Sequence, residues 1–429
     1  MSNLLKRFTS AIRRVSGDTA AVHEDDVLSD LLPPKEPWTV EGAREYVAEL
    51  VAKAKAGDSK AEFALADEYM KHSVGGVLRP DPFKAARWMQ RAAEHGDAVA
   101  QLLLASMYAN GDGVPKDDAA SAKWCLASAQ QGSSNAAYCL GDMYRAGTGV
   151  PCSYETAVFW FTKAALVGHL DAQNELGLTY GFGKGVPQDH NAAVTWFRLA
   201  ANQGHAAAQH NLAVQYMRGR GVEKDPKESM GWMKKSAEQG YAAAQFKLGK
   251  AYLLGEDVRK NKAKGEEWIL KAAEQGDIDA MTALAKCYYG GELLQKNVIE
   301  AARWYERAAQ KGDPDAQYCI GTLYRSGEGV SEDLNQAARW FQAAAEQGHA
   351  RSQLMLGLMC AKGEGGMSGE LTAYMWIKLA AISDKDAQEF VASGEPKMSS
   401  TERAAGQRLV DDWLRKHAAN PDQQASAVR

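Results

Sequence analysis

Long apolar runs are missing from this chain: nothing in its 429 residues approaches the roughly 20 consecutive apolar residues that a membrane-spanning helix needs. The N-terminus, MSNLLKRFTSAIRRVSG, also lacks the continuous apolar stretch and small-residue cleavage site of a secretory signal. The expected location is therefore cytoplasmic, with export by a route other than Sec left open. Neither sign of charge is in excess. Lys plus Arg total 50 against 54 Asp plus Glu, a formal charge of −4, so no global basic field draws the protein onto nucleic acid. Cysteine is scarce: the six present form no C-x-x-C pair, which excludes a zinc knuckle or a thioredoxin-type redox pair and leaves reduced, buried thiols as the expectation.

What is present is a repeat. Glycines fall at Gly96, Gly132, Gly168, Gly204, Gly240, Gly276, Gly312 and Gly348, a constant spacing of 36, and nine of the eleven tryptophans keep the same beat from Trp88 to Trp376. Between Gly168 and Gly204, Ala172, Leu176, Gly177 and Tyr180 form one stripe of an amphipathic helix, helix A. The position after the Leu is always Gly or Ala, which lets a neighbouring helix approach. A G-x-G-V turn then stops helix A. Four residues after its second glycine position stands Asp81, Asp117, Ser153, Asp189, Asp225, Asn261, Asn297 or Asp333, with Gly369 in the last unit. The polar members are residue types preferred at a helix N-cap, so helix B starts there. In two units the second loop glycine is replaced, by Asp257 and Leu293, and a different turn is expected.

Neither helix can bury its apolar face alone, so successive pairs must stack. The fold expected is all-α, a right-handed α/α solenoid of about nine 36-residue helix-turn-helix repeats with helical caps. Residues 1–36 read as a flexible tail, 37–57 as an N-terminal capping helix with Tyr46, Leu50 and Val51 as its stripe, and 58–384 as the solenoid. Residues 385–417 read as C-terminal capping helices, where Ser399 and Glu402 offer a capping box and Ala404, Leu409, Trp413 and Leu414 can cover the last unit. Residues 418–429 are expected to be a disordered tail. The first 20 residues place Leu4, Leu5, Phe8, Ile12 and Val15 opposite Lys6, Arg7, Arg13 and Arg14. This pattern leaves two readings open, a membrane-surface or targeting helix and a solvated tail.

The pattern L-G-x-x-Y-x-x-G-x-G-V-x-x-D followed by A-x-x-W-x-x-x-A-A-x-x-G, as in LGLTYGFGKGVPQD and IGTLYRSGEGVSED, resembles the Sel-one-like repeat (SLR), a relative of the tetratricopeptide repeat found in bacterial proteins. The resemblance implies a scaffold or adaptor that binds proteins, of the kind used in signalling, secretion, envelope maintenance and host interaction, with no single reaction. Cysteine-rich relatives that bind β-lactam compounds carry a disulfide in each repeat. The cysteines here do not recur once per unit, so that activity is not carried over.

No residues are assigned to catalysis, a cofactor or a metal. The G-x-G turns complete neither a dinucleotide nor a P-loop pattern. His169, His205 and His349 each follow a repeat glycine, too far apart in sequence to converge on one metal, and surface or capping roles suffice for them. No carboxylate pair stands in an apolar setting that would make a general acid and base. Function should lie in what differs between units, on the helix A face opposite the core stripe. There Tyr138, Asp142, Arg145, Asn174, His210, Phe246, Lys250, Lys286, Tyr289, Tyr318 and Arg325 have the composition of an interaction surface. The function expected is a non-catalytic interaction scaffold holding one or more proteins or peptides in the solenoid groove. The alternatives are a small-molecule or glycan-binding module, or an envelope- or secretion-associated virulence factor or effector. For the position six residues after the repeat glycine, simple packing between adjacent A helices is the competing explanation.

Overall fold

The computed structural model describes residues 39–70 and 77–418. The basic amphipathic start and the expected N-terminal tail lie outside these residues, as does the expected C-terminal tail apart from residue 418. Among the described residues the chain is all-α, with twenty-one α-helices, one 3₁₀ turn and no strand. It divides at Lys224/Asp225 into two compact units.

The first unit holds α1 (Val40–Lys55), α2 (Ser59–Met70), α3 (Pro82–Glu94), α4 (Ala98–Asn110), α5 (Asp118–Gln130), α6 (Ser134–Ala146), α7 (Tyr154–Leu166), α8 (Leu170–Phe182), α9 (His190–Asn202) and α10 (Ala206–Arg218). The second holds α11 (Pro226–Glu238), α12 (Ala242–Leu254), α13 (Lys262–Glu274), α14 (Ile278–Gly290), α15 (Val298–Gln310), α16 (Pro314–Ser326), α17 (Leu334–Glu346), α18 (Ala350–Lys362), α19 (Glu370–Ala380), α20 (Lys385–Gly394) and α21 (Ser400–Ala418). Even-numbered helices from α2 to α18 are A helices and odd-numbered ones from α3 to α19 are B helices. Within each unit every helix packs chiefly on its sequence neighbours, and α21 folds back on α19. This nearest-neighbour packing of repeated pairs is an α/α solenoid.

The helix boundaries follow from local chemistry. Asp81, Asp117, Ser153, Asp189, Asp225, Asn261, Asn297 and Asp333 each accept a hydrogen bond from backbone N–H groups in the first turn of a B helix. Gly369 offers no such bond. Every repeat glycine from Gly57 to Gly348 takes φ between +84° and +95°, the left-handed conformation that ends helix B. The turn from A to B is closed by the N–H of the cap residue donating to the carbonyl of the recurrent tyrosine, as in Asp189 to Tyr180 at 2.9 Å. Its second glycine has a further role. A Cβ at Gly113 or Gly149 would lie 2.0 Å from the carbonyl oxygen of Pro82 or Asp118, at the start of the preceding B helix. Asp257 keeps the left-handed backbone there at φ 57°, so that loop retains a turn without the glycine.

The small residue on helix A has a specific counterpart. A Cβ at Gly177 would stand 2.4 Å from the ring of Phe197, and one at Gly321 2.9 Å from that of Phe341. The residue that fills the A–B interface is thus the one eight positions after the cap. Phe161, Phe197 and Phe341 are fully buried, whereas Trp196 and most of its column are half-buried beside them. The tryptophans pack at the edge of the core, and several carry a cation over the ring, as Lys235 does over Trp232 at 4.1 Å.

At the ends, α1 buries Ala43, Val47, Leu50 and Ala54, a stripe offset from the expected one, with Tyr46 and Val51 half-buried at its border. The capping box forms: Ser399 N–H donates to Glu402 Oε2 at 2.8 Å, and Glu402 N–H donates to Ser399 Oγ at 3.2 Å. The face of α21 differs from expectation. Gly406, Val410 and Trp413 turn inward, while Ala404, Leu409 and Leu414 are exposed. Gly406 decides this register, because it lets the Tyr374 ring approach to where a Cβ would be 2.3 Å away.

Candidate interaction surface

The repeats are tied together by a buried polar ladder. The fifth residue after the repeat glycine is Gln101, Gln173, Gln209, Gln245, Gln317 or Gln353, each 3–6% exposed. In all six, Nε2 donates at 3.1 Å to a carbonyl of the preceding B helix. Four of them also accept, through Oε1, from a glutamine 30 residues later: Gln131, Gln203, Gln275 and Gln347, at 2.7–3.3 Å. Where the first partner changes, so does the second. Ala137 is matched by Val167 and Met281 by Lys311. The first repeat has Glu62, fully buried and held by Arg91 Nε at 2.9 Å and His95 Nδ1 at 2.7 Å. Satisfying a buried amide at both ends avoids the cost of an unpaired polar group, and here it also fixes how an A helix sits between two B helices. The recurrent A-Q and Q-G dipeptides carry this signal in the sequence, but only the fold shows that they meet.

The histidines after the repeat glycine are helix caps. Nδ1 of His169, His205 and His349 accepts the N–H of Ala172, Ala208 and Ser352, each at 3.2 Å. A ring accepting at Nδ1 is neutral and carries its proton on Nε2. That proton faces Asp171 Oδ1 at 3.0 Å from His205, and Asp315 Oδ1 at 3.3 Å from His349. Burial pushes the pKa of His169 and His349 down, against the pull of Asp171 and Asp315 respectively.

These caps organise the helix A face. In the first unit Tyr138 is half-buried, its ring stacked on His169 at 4.7 Å and tilted against Phe161 at 5.8 Å. Asp142 pairs with Arg145, which also reaches Glu175 at 3.4 Å. Burial raises the pKa of Glu175, and Arg145 opposes the shift. Asn174 is only 7% exposed and its Oδ1 accepts from Asn211 Nδ2 at 2.9 Å. His210 is half-buried. In the second unit Phe246 is half-buried against the core, while Lys250 and Lys286 are exposed. Tyr289, 40% exposed, donates its hydroxyl to Glu328 at 3.1 Å. Tyr318 tilts against His349 at 5.3 Å, and Arg325 points at Met355 Sδ, 3.9 Å away.

The position six residues after the glycine is therefore not the open position expected from the helical wheel. Asn174, Thr282 and Leu354 are buried and Tyr138, Phe246 and Tyr318 half-buried. The next A helix stands close enough to be touched by them, as the Asn174–Asn211 bond shows. The accessible part of this face lies one and two turns further along, at Arg145, Lys250, Lys286 and Tyr289. Among the described residues no group of three His, Cys, Asp or Glu could hold a metal ion, and no helix is long and apolar enough to cross a membrane. The six cysteines are free, but only Cys125 and Cys360 are buried as expected of all six, while Cys139, Cys287 and Cys319 are half-buried and Cys152, in the A-to-B turn, is exposed. Burial pushes the Cys125 thiol up to about 12.

The family is settled by comparison. The Sel1 repeat model matches nine times in succession, at residues 59–97, 98–133, 134–169, 170–205, 206–241, 242–277, 278–313, 314–349 and 350–384. The chain belongs to the Sel1 repeat family. Among solved structures it is similar to a Sel1 repeat protein from Oxalobacter formigenes, with 32% identity, 78% of this chain and 99% of that one covered, and a TM-score of 0.58. It is also similar to a protective antigen of uropathogenic Escherichia coli that displays an SLR fold, with 29% identity, 94% and 97% covered, and a TM-score of 0.52. No curated protein matches the sequence. Sel1-type repeat folds generally mediate protein–protein interaction and are generally non-catalytic.

Proposed function

We propose that this chain is a non-catalytic interaction scaffold that holds partner protein segments against its helix A faces. The observation that carries this is the contrast between the two kinds of position. Recurrent residues are spent on caps, turns and, in six repeats, the ladder glutamine, whereas several variable A-face residues are held by contacts that cross to the next repeat. Tyr138 on His169 and Tyr289 on Glu328 are examples. Side chains immobilised before binding lose little entropy on contact, and a rigid mixture of Tyr, Arg, Lys and Asp suits protein recognition.

The test is affinity capture from the native cell with two variants, Tyr138→Ala/Phe246→Ala and the exposed pair Lys286→Glu/Tyr289→Ala. Loss of a partner by either variant, with helical circular dichroism unchanged, is the expected result. Retention of every partner by both would remove the A face from the interaction.

A further inference from the structure

In each B helix the positions six, ten and thirteen after the cap lie on one side, because they are four and three residues apart. In the odd-numbered helices α3 to α17 every residue at these positions is exposed except Ala127 and Ala343, which are half-buried. Together they form the outward row of the B helices in each unit.

The two units use this row differently. On α3 to α9 it carries Arg87, Arg91, Lys123 and Lys163 against one acid, Glu94, and it exposes Phe159, Leu166 and Leu199. On α11 to α17 it holds no large apolar residue, and Glu238, Glu267, Glu274 and Glu346 accompany its cations. The apolar residues of the first unit are neighbours. Phe159, Lys163 and Leu166 follow one another along α7, and Val167 stands directly after that helix, where other repeats place a ladder glutamine. Leu199 holds on α9 the position that Lys163 holds on α7. Phe159, Leu166, Val167 and Leu199 are 44–72% exposed. Cations sit against the aromatic rings: Lys163 lies over Phe159 at 5.5 Å and Lys123 over Trp124 at 5.6 Å.

Apolar side chains projecting between cations suit a peripheral membrane contact, in which the former enter the acyl boundary and the latter stay among anionic headgroups. A nucleic acid would engage the cations and leave Leu166, Val167 and Leu199 in water. A second part of the chain has the same chemistry. Residues 1–17 contain Leu4, Leu5, Phe8, Ile12 and Val15, together with Lys6, Arg7, Arg13 and Arg14, and no acid. Residues 18–38 span up to about 70 Å when extended, so both parts can meet one broad surface. A bilayer accepts the two without a matched spacing, and stable attachment takes two such signals. Screening beyond about 8 Å at physiological salt makes the local row decisive over the sum of charges.

We propose that the outward B row of the first unit, centred on Phe159, Leu166, Val167 and Leu199, docks on an anionic lipid surface. This contact is separate from the A faces and goes beyond the scaffold function. The test is co-flotation of the full chain with vesicles of phosphatidylcholine containing about 30% phosphatidylglycerol, which supplies anionic headgroups. The chain should float with these vesicles and less with pure phosphatidylcholine. Phe159→Ser/Leu166→Ser changes two exposed side chains and should lower partitioning by about tenfold or more. Ile299→Ser, at an exposed apolar residue of the second unit, should leave it unaltered. On the unsubstituted chain, the vesicles should protect Lys163 from amine acylation read by mass spectrometry. Lys271, at the same position in α13, should stay reactive.

Equal flotation of the parent and the Phe159→Ser/Leu166→Ser variant would overturn the proposal. So would no flotation at all, or equal acylation of Lys163 with and without vesicles. Flotation lost on deletion of residues 1–17 but untouched by the double substitution would place the contact in the N-terminal segment alone and sink the B row. Self-association abolished by the double substitution, with no vesicle binding, would give the face to a second copy of the chain instead. The A-face variants are read by partner capture, so either proposal can fail while the other stands.

Discussion

At the scale of single residues, the histidine caps make stability depend on pH in a definite direction. A histidine whose folded-state pKa is depressed favours folding in its neutral form. The contribution of His169 and His349 is therefore complete above the ordinary histidine value near 6.5 and disappears as the pH falls through their lower folded values. Protonation also places a hydrogen on Nδ1, the atom that now accepts the cap bond. His349→Asn keeps a side-chain cap acceptor and removes the titration. The urea midpoint of the parent should drop between pH 7.5 and pH 5 by more than that of His349→Asn. Parallel pH profiles for the two proteins would show that this ring does not titrate on unfolding.

At the scale of elements, the joint between helices depends on shape and on the polar ladder together. Gly177 admits the Phe197 ring, while Gln173 bonds backward to Ala165 and forward to Gln203. The repeat with Ala137 and Val167 has neither amide, which shows that the joint tolerates loss of both partners. Gln173→Leu removes the rung and leaves the Ala165 carbonyl without its side-chain donor, while exposed Gln203 keeps its second acceptor, the Leu199 carbonyl at 3.2 Å. A cost of about 1–2 kcal/mol is expected from chemical denaturation, and Gln203→Leu added to it should cost less than it does in the parent. Additive costs for the two substitutions would mean that the bond between them contributes nothing.

At the scale of the molecule, contacts within each unit run chiefly between consecutive helices, so stability should be local. Leu176 is fully buried in α8. Leu176→Ala should cost about 2–5 kcal/mol and lower hydrogen-exchange protection of amides in α6 to α9. Amides in α14 to α17 of the second unit should keep theirs. A uniform loss across both units would indicate a single cooperative block instead. The proposed scaffold function belongs to this scale as well, because a repeated joint multiplies surface without requiring a central cavity.

The amino-acid sequence by itself determined the repeat, its period, the caps, the turns and hence the all-α stacked fold, because these depend on backbone chemistry within a few residues. Asp189 caps α9 whatever surrounds it. Only the tertiary structure decided which side of each helix was left over. The six-position residues such as Asn174 turned out to be buried because an adjacent A helix reaches them, and α21 packed through Gly406, Val410 and Trp413 because Tyr374 needed room. The Gln173–Gln203 rung likewise required the fold, since burial and proximity depend on how neighbouring helices are placed in space.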